Sequence, residues 1–265
     1  SPLPDSAANA ASAQATGSRR YRPPEDYQPI FGTLQKVLRQ QARTLRHQHR
    51  AGRADPEALI QALRLDTAHT YLVLLLATGM RPVGKGTQFA LGQNGYFVAD
   101  KGSPQYRERR LLPEVPALTR QLGRHHRTRN RIADLLDRAG FPVAPKNRAG
   151  QSDLPALIHW EGGGYALHTF RHTDFQTVLA EWGVGAMFED APNATRHTVA
   201  TELRHLLPPH EVHAQLGHVA RSLALDHPGR AERASNRNQA VEALTDLLGR
   251  AGYQRTNLEE ALNDR

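Results

Sequence analysis

Apolar residues recur at helical intervals from Pro29 to Arg46, where Ile30, Phe31, Leu34, Val37, Leu38 and Leu45 would share one face. Asp55-Pro56 then supplies an N-cap and a first-turn proline, which predicts a second helix ending near Leu65. Asp66 reads as the cap of a third, running through Tyr71, Leu72, Val73, Leu75 and Leu76 to Thr78-Gly79. That stretch is apolar on almost every side, the pattern of a helix enclosed by the core.

The period changes after Gly79. Thr87–Leu91, Tyr96–Ala99 and Arg109–Leu112 are short and strand-like, parted by Gly92-Gln93-Asn94-Gly95 and by a loop holding Lys101-Gly102-Ser103. They predict a small three-stranded antiparallel sheet. Helical patterns return at Pro113–Arg124 and Arg129–Ala139, with Gly140 as the stop signal. Pro142–Pro155, rich in proline and glycine, reads as loop. Further helices are predicted at His172–Trp182, Ala194–Leu207, Pro209–Leu216, Gln239–Leu248 and Leu258–Leu262. Residues 1–20 are small and polar, too poor in bulky apolar groups to offset the entropy of ordering, and are predicted to form a disordered tail. The fold class expected for residues 21–265 is a single domain, mainly α with a small three-stranded antiparallel sheet and a C-terminal helical extension.

Composition narrows the chemistry. The 265 residues include no cysteine, which excludes disulfides, thiolate metal sites and cysteine nucleophiles. The longest apolar run, Tyr71 to Ala77, falls far short of the roughly 18 residues of a membrane span. The first residues lack the charged-then-apolar pattern of a secretion signal, so a cytoplasmic protein without membrane contact is expected. Lys and Arg number 34 against 26 Asp and Glu, a formal net charge of +8. Four of the 34 are lysines (Lys36, Lys85, Lys101, Lys146); the other thirty are arginines, whose planar forks suit phosphate. Nucleic acid is the partner that this charge favours.

Four stretches carry candidate chemistry. Ala77-Thr78-Gly79-Met80-Arg81-Pro82 places an arginine just past the apolar helix, and Lys101 lies in a turn between strands. Arg196-His197-Thr198-Val199-Ala200-Thr201-Glu202-Leu203 opens a helix with an arginine, and Leu216-Gly217-His218 closes one with a histidine. In this order, with 22 residues from Arg196 to His218, the set resembles the catalytic domain of the tyrosine recombinases, the phage-integrase family, over roughly Pro23 to Pro228. The resemblance implies a recombinase-like domain that binds double-stranded DNA, needs no cofactor or metal, and assembles with other recombinase subunits as an oligomer on DNA. It also implies roles. Arg81 and Arg196 would fork onto the nonbridging oxygens of a phosphodiester and stabilise the charge that builds there during cleavage. Lys101 would protonate the leaving oxygen, and His218 would bond a phosphate oxygen or move the nucleophile's proton. Plainer roles stand beside these: Arg81 suits the negative end of its helix, and Lys101 suits any exposed turn.

The chain departs from the family pattern in three places. Asn193 stands where the family has the first histidine of its His-x-x-Arg box; it can donate a hydrogen bond but cannot carry a proton. Gly84 stands where an acidic residue usually follows the first arginine box. His227 occupies the register of the nucleophilic tyrosine, and no tyrosine lies between Tyr165 and Tyr253. The expectation is a DNA-binding protein degenerate for strand cleavage, with an accessory or regulatory role in recombination or transcription. The alternative is an active recombinase using Tyr253 or His227. A second pairing, His168 with Arg171, supplies His-x-x-Arg but lacks the continuation that follows Arg196.

Three basic runs complete the picture. Arg39, Arg43, Arg46 and Arg50 form one, Arg107 and Arg109 lie beside the hairpin, and Arg124 and Arg127 belong to a third. On DNA they would line the backbone and make affinity salt-dependent; without DNA they are a solvated arginine-rich face. His210-Glu211-Val212-His213 sets its histidines three apart where a zinc helix needs four, so no metal site is expected.

Overall fold

The computed structural model describes residues 21–51, 55–82, 88–92, 95–99, 110–141, 158–161, 164–167, 170–216, 230–256 and 258–263. Within these, a 3-10 turn (Pro24–Tyr27) leads into α1 (Gln28–Arg50), followed by α2 (Pro56–Thr78), β1 (Gln88–Gly92), β2 (Gly95–Ala99), β3 (Arg110–Leu112) and α3 (Pro116–Arg138). Then come β4 (Ile158–Glu161), β5 (Gly164–Leu167), α4 (His172–Glu181), α5 (Ala186–Asp190), α6 (Ala194–Arg204), α7 (Pro209–Leu216), α8 (Arg230–Arg250) and α9 (Leu258–Asn263). The described chain is mostly helical.

Helix α2 is the axis of the core. It begins as the sequence predicts: Asp55 Oδ1 accepts from the backbone N–H groups of Glu57 and Ala58 at 3.0 and 3.4 Å. It does not break at Asp66. That carboxylate, 2% exposed, pairs with His125 Nδ1 on α3 at 2.7 Å, so it caps nothing and the helix runs on to Thr78. Every residue from Leu65 to Thr78 is buried, and α1, α3, α4, α6 and α8 all pack against the helix. Its buried threonines are satisfied inside: Thr70 Oγ1 accepts from Gln121 Nε2 at 2.9 Å, and Thr67 Oγ1 donates to the Leu63 carbonyl at 2.7 Å.

Helix α3 is also single where the periodicity predicts two. The polar stretch near Arg124 hides its continuity, because Gln121, His125 and Thr128 are buried and extend the stripe begun by Leu118 and Leu122 to Ile132 and Leu135. The predicted three-stranded sheet is present, in the order β1-β2-β3 and antiparallel throughout, with Phe89 opposite Val98 and Phe97 opposite Leu111. A second hairpin, β4–β5, and the short α5 were not anticipated, and α8 begins well before Gln239. Residues 1–20, the predicted tail, lie outside the described residues. No helix among the described residues is long and apolar enough to cross a membrane.

Two buried histidines make this core acid-sensitive. His69 on α2 is fully enclosed between the rings of Phe31 and Tyr253, at 5.5 and 5.7 Å, and neither ring nitrogen has a hydrogen-bond partner. Burial pushes its pKa down to about 4 against an ordinary 6.5, and burial does the same to His172, beside the Tyr71 hydroxyl. Both are neutral in the folded state and protonate readily once unfolded. Folding stability is therefore held above pH 6.5 and lost as pH falls toward 4, by about 3 kcal/mol for His69 alone. Urea titrations across that range will show the midpoint dropping. His69→Phe, which keeps the ring, will remove about half of the drop, whereas an unchanged pH profile would show that His69 is not the group responsible.

Candidate functional site

The site is built where α2 ends. The N–H of Gly79 closes the last turn on the Leu75 carbonyl at 2.9 Å, and Thr78 Oγ1 bonds both the Leu74 carbonyl and the Met80 N–H. Gly79 has φ +61, the left-handed geometry of a helix C-cap. A β-carbon there would lie 2.8 Å from Val199 Cγ1 and 2.9 Å from Leu216 Cδ2, so glycine is required for space as well as conformation. Met80 is fully buried and anchors the turn, from which the half-buried Arg81 leaves.

Two other segments close on this turn. Arg196, in the first turn of α6 and 6% exposed, donates through Nη1 to the Gly79 carbonyl at 3.0 Å and through Nη2 to the Leu216 carbonyl. Gln215, at the end of α7, donates to the Thr78 carbonyl at 3.3 Å. The first arginine box, the second arginine box and the start of the Leu-Gly-His box thus meet at one point, although 117 residues separate Arg196 from Gly79. One bond neutralises a carbonyl at the negative end of α2 and the other a carbonyl at the end of α7, so Arg196 serves as a structural clasp between the two helix ends. Asn193 occupies the N-cap of α6 with φ −96 and ψ 16, and its side chain makes no capping bond. Thr195 is fully buried, and its hydroxyl has no hydrogen-bond partner.

Of the predicted catalytic set, Arg81, Asn193 and Arg196 are brought to this end of α2 and α6. Lys101, His218 and His227 lie outside the described residues, as do Arg107 and Arg109. Tyr253 goes elsewhere. Its hydroxyl accepts from Arg124 Nη2 at 2.8 Å and donates to Gln121 Oε1 at 3.2 Å, and its ring lies against His69. His69 precedes Gly79 by ten residues of helical chain, about 15 Å of rise. Burial raises the Tyr253 pKa against the partial opposition of Arg124, which disfavours the phenolate a nucleophile would need.

The predicted DNA-binding arginines divide. Arg124 is buried in the Tyr253 network, and Arg127 pairs with Glu259 at 2.5 Å. Arg39, Arg43 and Arg50 are exposed on α1, with Arg46 half-buried beside them. Among the described residues, no group of three or more His, Asp or Glu side chains is placed to hold a metal ion. The residues missed from sequence are Gln215 and Thr195. Gln215 sits next to the Leu-Gly-His box and could have been suspected on that ground; nothing in the sequence distinguishes Thr195.

The tight approach at Gly79 is open to a direct comparison. Gly183 has φ +68 but open space where a β-carbon would go. Gly183→Ala should cost only the left-handed conformation, about 1 kcal/mol, whereas Gly79→Ala adds a collision with Val199 and Leu216 and should cost at least about 3 kcal/mol. Equal losses in urea unfolding would mean that the three segments do not close on Gly79. No family model matches this chain, and neither a curated protein nor a solved structure matches it.

Proposed function

We propose that this chain is a cytoplasmic, duplex-DNA-binding protein of the tyrosine-recombinase type that has lost strand cleavage and acts as an accessory or regulatory subunit. The observation that carries the reading is the meeting of Gly79, Arg196 and Leu216, from three boxes distant in sequence whose residues, order and spacing suggested the resemblance. A domain that uses two arginines on one phosphate has to bring the end of α2 and the start of α6 together, and here they share hydrogen bonds. On this reading Arg81 and Arg196 hold the nonbridging oxygens of a backbone phosphate, and the Asn193 amide adds a neutral donor where the family would have a proton carrier. The resemblance would add Lys101 and His218 as further partners of the same phosphate.

Loss of cleavage is supported from two sides. The nucleophile's register holds His227, and the alternative hydroxyl, on Tyr253, is committed to Arg124 and Gln121. Binding can outlast cleavage because the arginine pair acts on phosphate charge whether or not a bond breaks.

The test is capture of fragmented genomic DNA on the immobilised protein, with and without denaturing detergent. Retention only without detergent is expected. Retention through detergent would mean a covalent adduct and an active recombinase, with mass spectrometry choosing between Tyr253 and His227. No retention in either condition would overturn the reading. Arg81→Ala should weaken duplex binding about tenfold to a hundredfold, the effect of one charged hydrogen-bonding group on phosphate.

A further inference from the structure

Helix α1 carries a second feature, distinct from the arginine turn. Its 23 residues include no aspartate or glutamate, and Lys36, Arg39, Arg43, His47 and Arg50 are all exposed. At 3.6 residues per turn these five positions fall within about 80° of one another, so they form one straight row about 21 Å long. The opposite face, including Phe31, Leu34, Leu38 and Leu45, is buried in the core, which fixes the row outward.

No acid among the described residues answers this row. Among the described residues, Lys36, Arg43 and Arg50 have no hydrogen-bond or ion-pair partner, and Arg39 bonds only the Gln35 carbonyl of its own helix, at 3.3 Å. The acids on α9, which packs on α1, are committed elsewhere: Glu259 to Arg127 and Glu260 to Arg255. A rigid line of cations without counter-charges is complementary to a linear polyanion. A bilayer surface fits less well, because a membrane-bound helix inserts an apolar face, and the apolar face of α1 is spent on the core.

The row is also separated from the arginine turn. Tyr27, just before α1, bonds Thr198, and Gly79 approaches the adjacent Val199, so the start of α1 lies beside the end of α2. From there the row extends from about 14 to about 35 Å along α1. We infer that this row is a backbone clamp, binding the phosphates of duplex DNA independently of the Arg81–Arg196 turn and within about one helical repeat of it. The inference rests on the proposed DNA-binding function and assigns the non-specific, salt-dependent part of that binding to α1.

Fluorescence anisotropy with a labelled 30-base-pair duplex of arbitrary sequence, over a range of salt concentrations, tests the clamp. The full chain carrying Lys36→Gln, Arg39→Gln, Arg43→Gln and Arg50→Gln should lower the slope of log affinity against log salt by about 3 to 4, near 0.9 per lost phosphate contact. A change of slope below about 1 overturns the clamp. Arg43→Glu with Arg50→Glu, also at exposed positions, changes the charge by the same amount and should also weaken binding, so misfolding of the fourfold variant would not shelter the idea. Arg81→Ala separates the two proposals. If Arg81→Ala weakens binding and the α1 variants do not, the clamp fails and the arginine turn stands. If only the α1 variants weaken it, the clamp stands and the arginine turn fails. Phosphatidylserine vesicles provide the remaining arm: loss of vesicle binding with unchanged duplex binding would assign the row to a membrane surface and overturn the inference.

Discussion

A helical segment without a solvent face has to be enclosed, and its end has to be closed without water. Both demands fall on α2, buried without interruption from Leu65 to Thr78. The first gathers five helices around it. The second brings in the groups that satisfy its terminal carbonyls, which in an ordinary surface helix would bond solvent. Gly79 N–H takes the Leu75 carbonyl, Gln215 takes that of Thr78 and Arg196 takes that of Gly79. The placement of Arg196 is thus a consequence of core burial. The buried Asp66–His125 pair obeys the same rule, since removal of either partner would leave a polar group stranded in a medium that cannot solvate it.

An arginine-rich composition does not translate directly into an arginine-rich binding face. Arg64, Arg127, Arg250 and Arg255 are matched by carboxylates of Glu181, Glu259, Glu25 with Glu202, and Glu260. Arg131 bonds the Leu262 carbonyl and fastens α9, and Arg124 supports Tyr253 from within. Acids engaged in these pairs are not available to α1. The excess of positive charge is therefore expressed unevenly, and local pairing says more about it than the net figure of +8.

Much of the helical scaffold was legible because its signals are local. Asp55-Pro56, Thr78-Gly79 and the apolar positions of α1 each act within a turn or two of the chain. The errors arose where a distant partner changes what a residue means. Asp66 resembles a cap until His125 takes its carboxylate, and His125 breaks an apolar stripe until Asp66 makes it a core residue. The β4–β5 hairpin did leave a trace, since Ile158 to Trp160 and Tyr165 to Leu167 flank Glu161-Gly162-Gly163-Gly164, a glycine-rich turn between apolar runs. Arg81 and Arg196 were identified through the order of their boxes. What could not be read was that Arg196 would spend two donors on backbone carbonyls, since Gly79 and Leu216 become neighbours only in the folded chain.

The way the polypeptide enters the fold has its own consequence. Tyr21 bonds Glu202, and the Arg22 carbonyl accepts from Thr198, both on the helix that carries Arg196. Arg250 strengthens this fastening by bridging Glu202 to Glu25. Glu202 is thus a shared anchor, with one carboxylate holding both the start of the described chain and the end of α8. Loss of that single side chain would loosen two distant segments at once, beside the helix that positions Arg196.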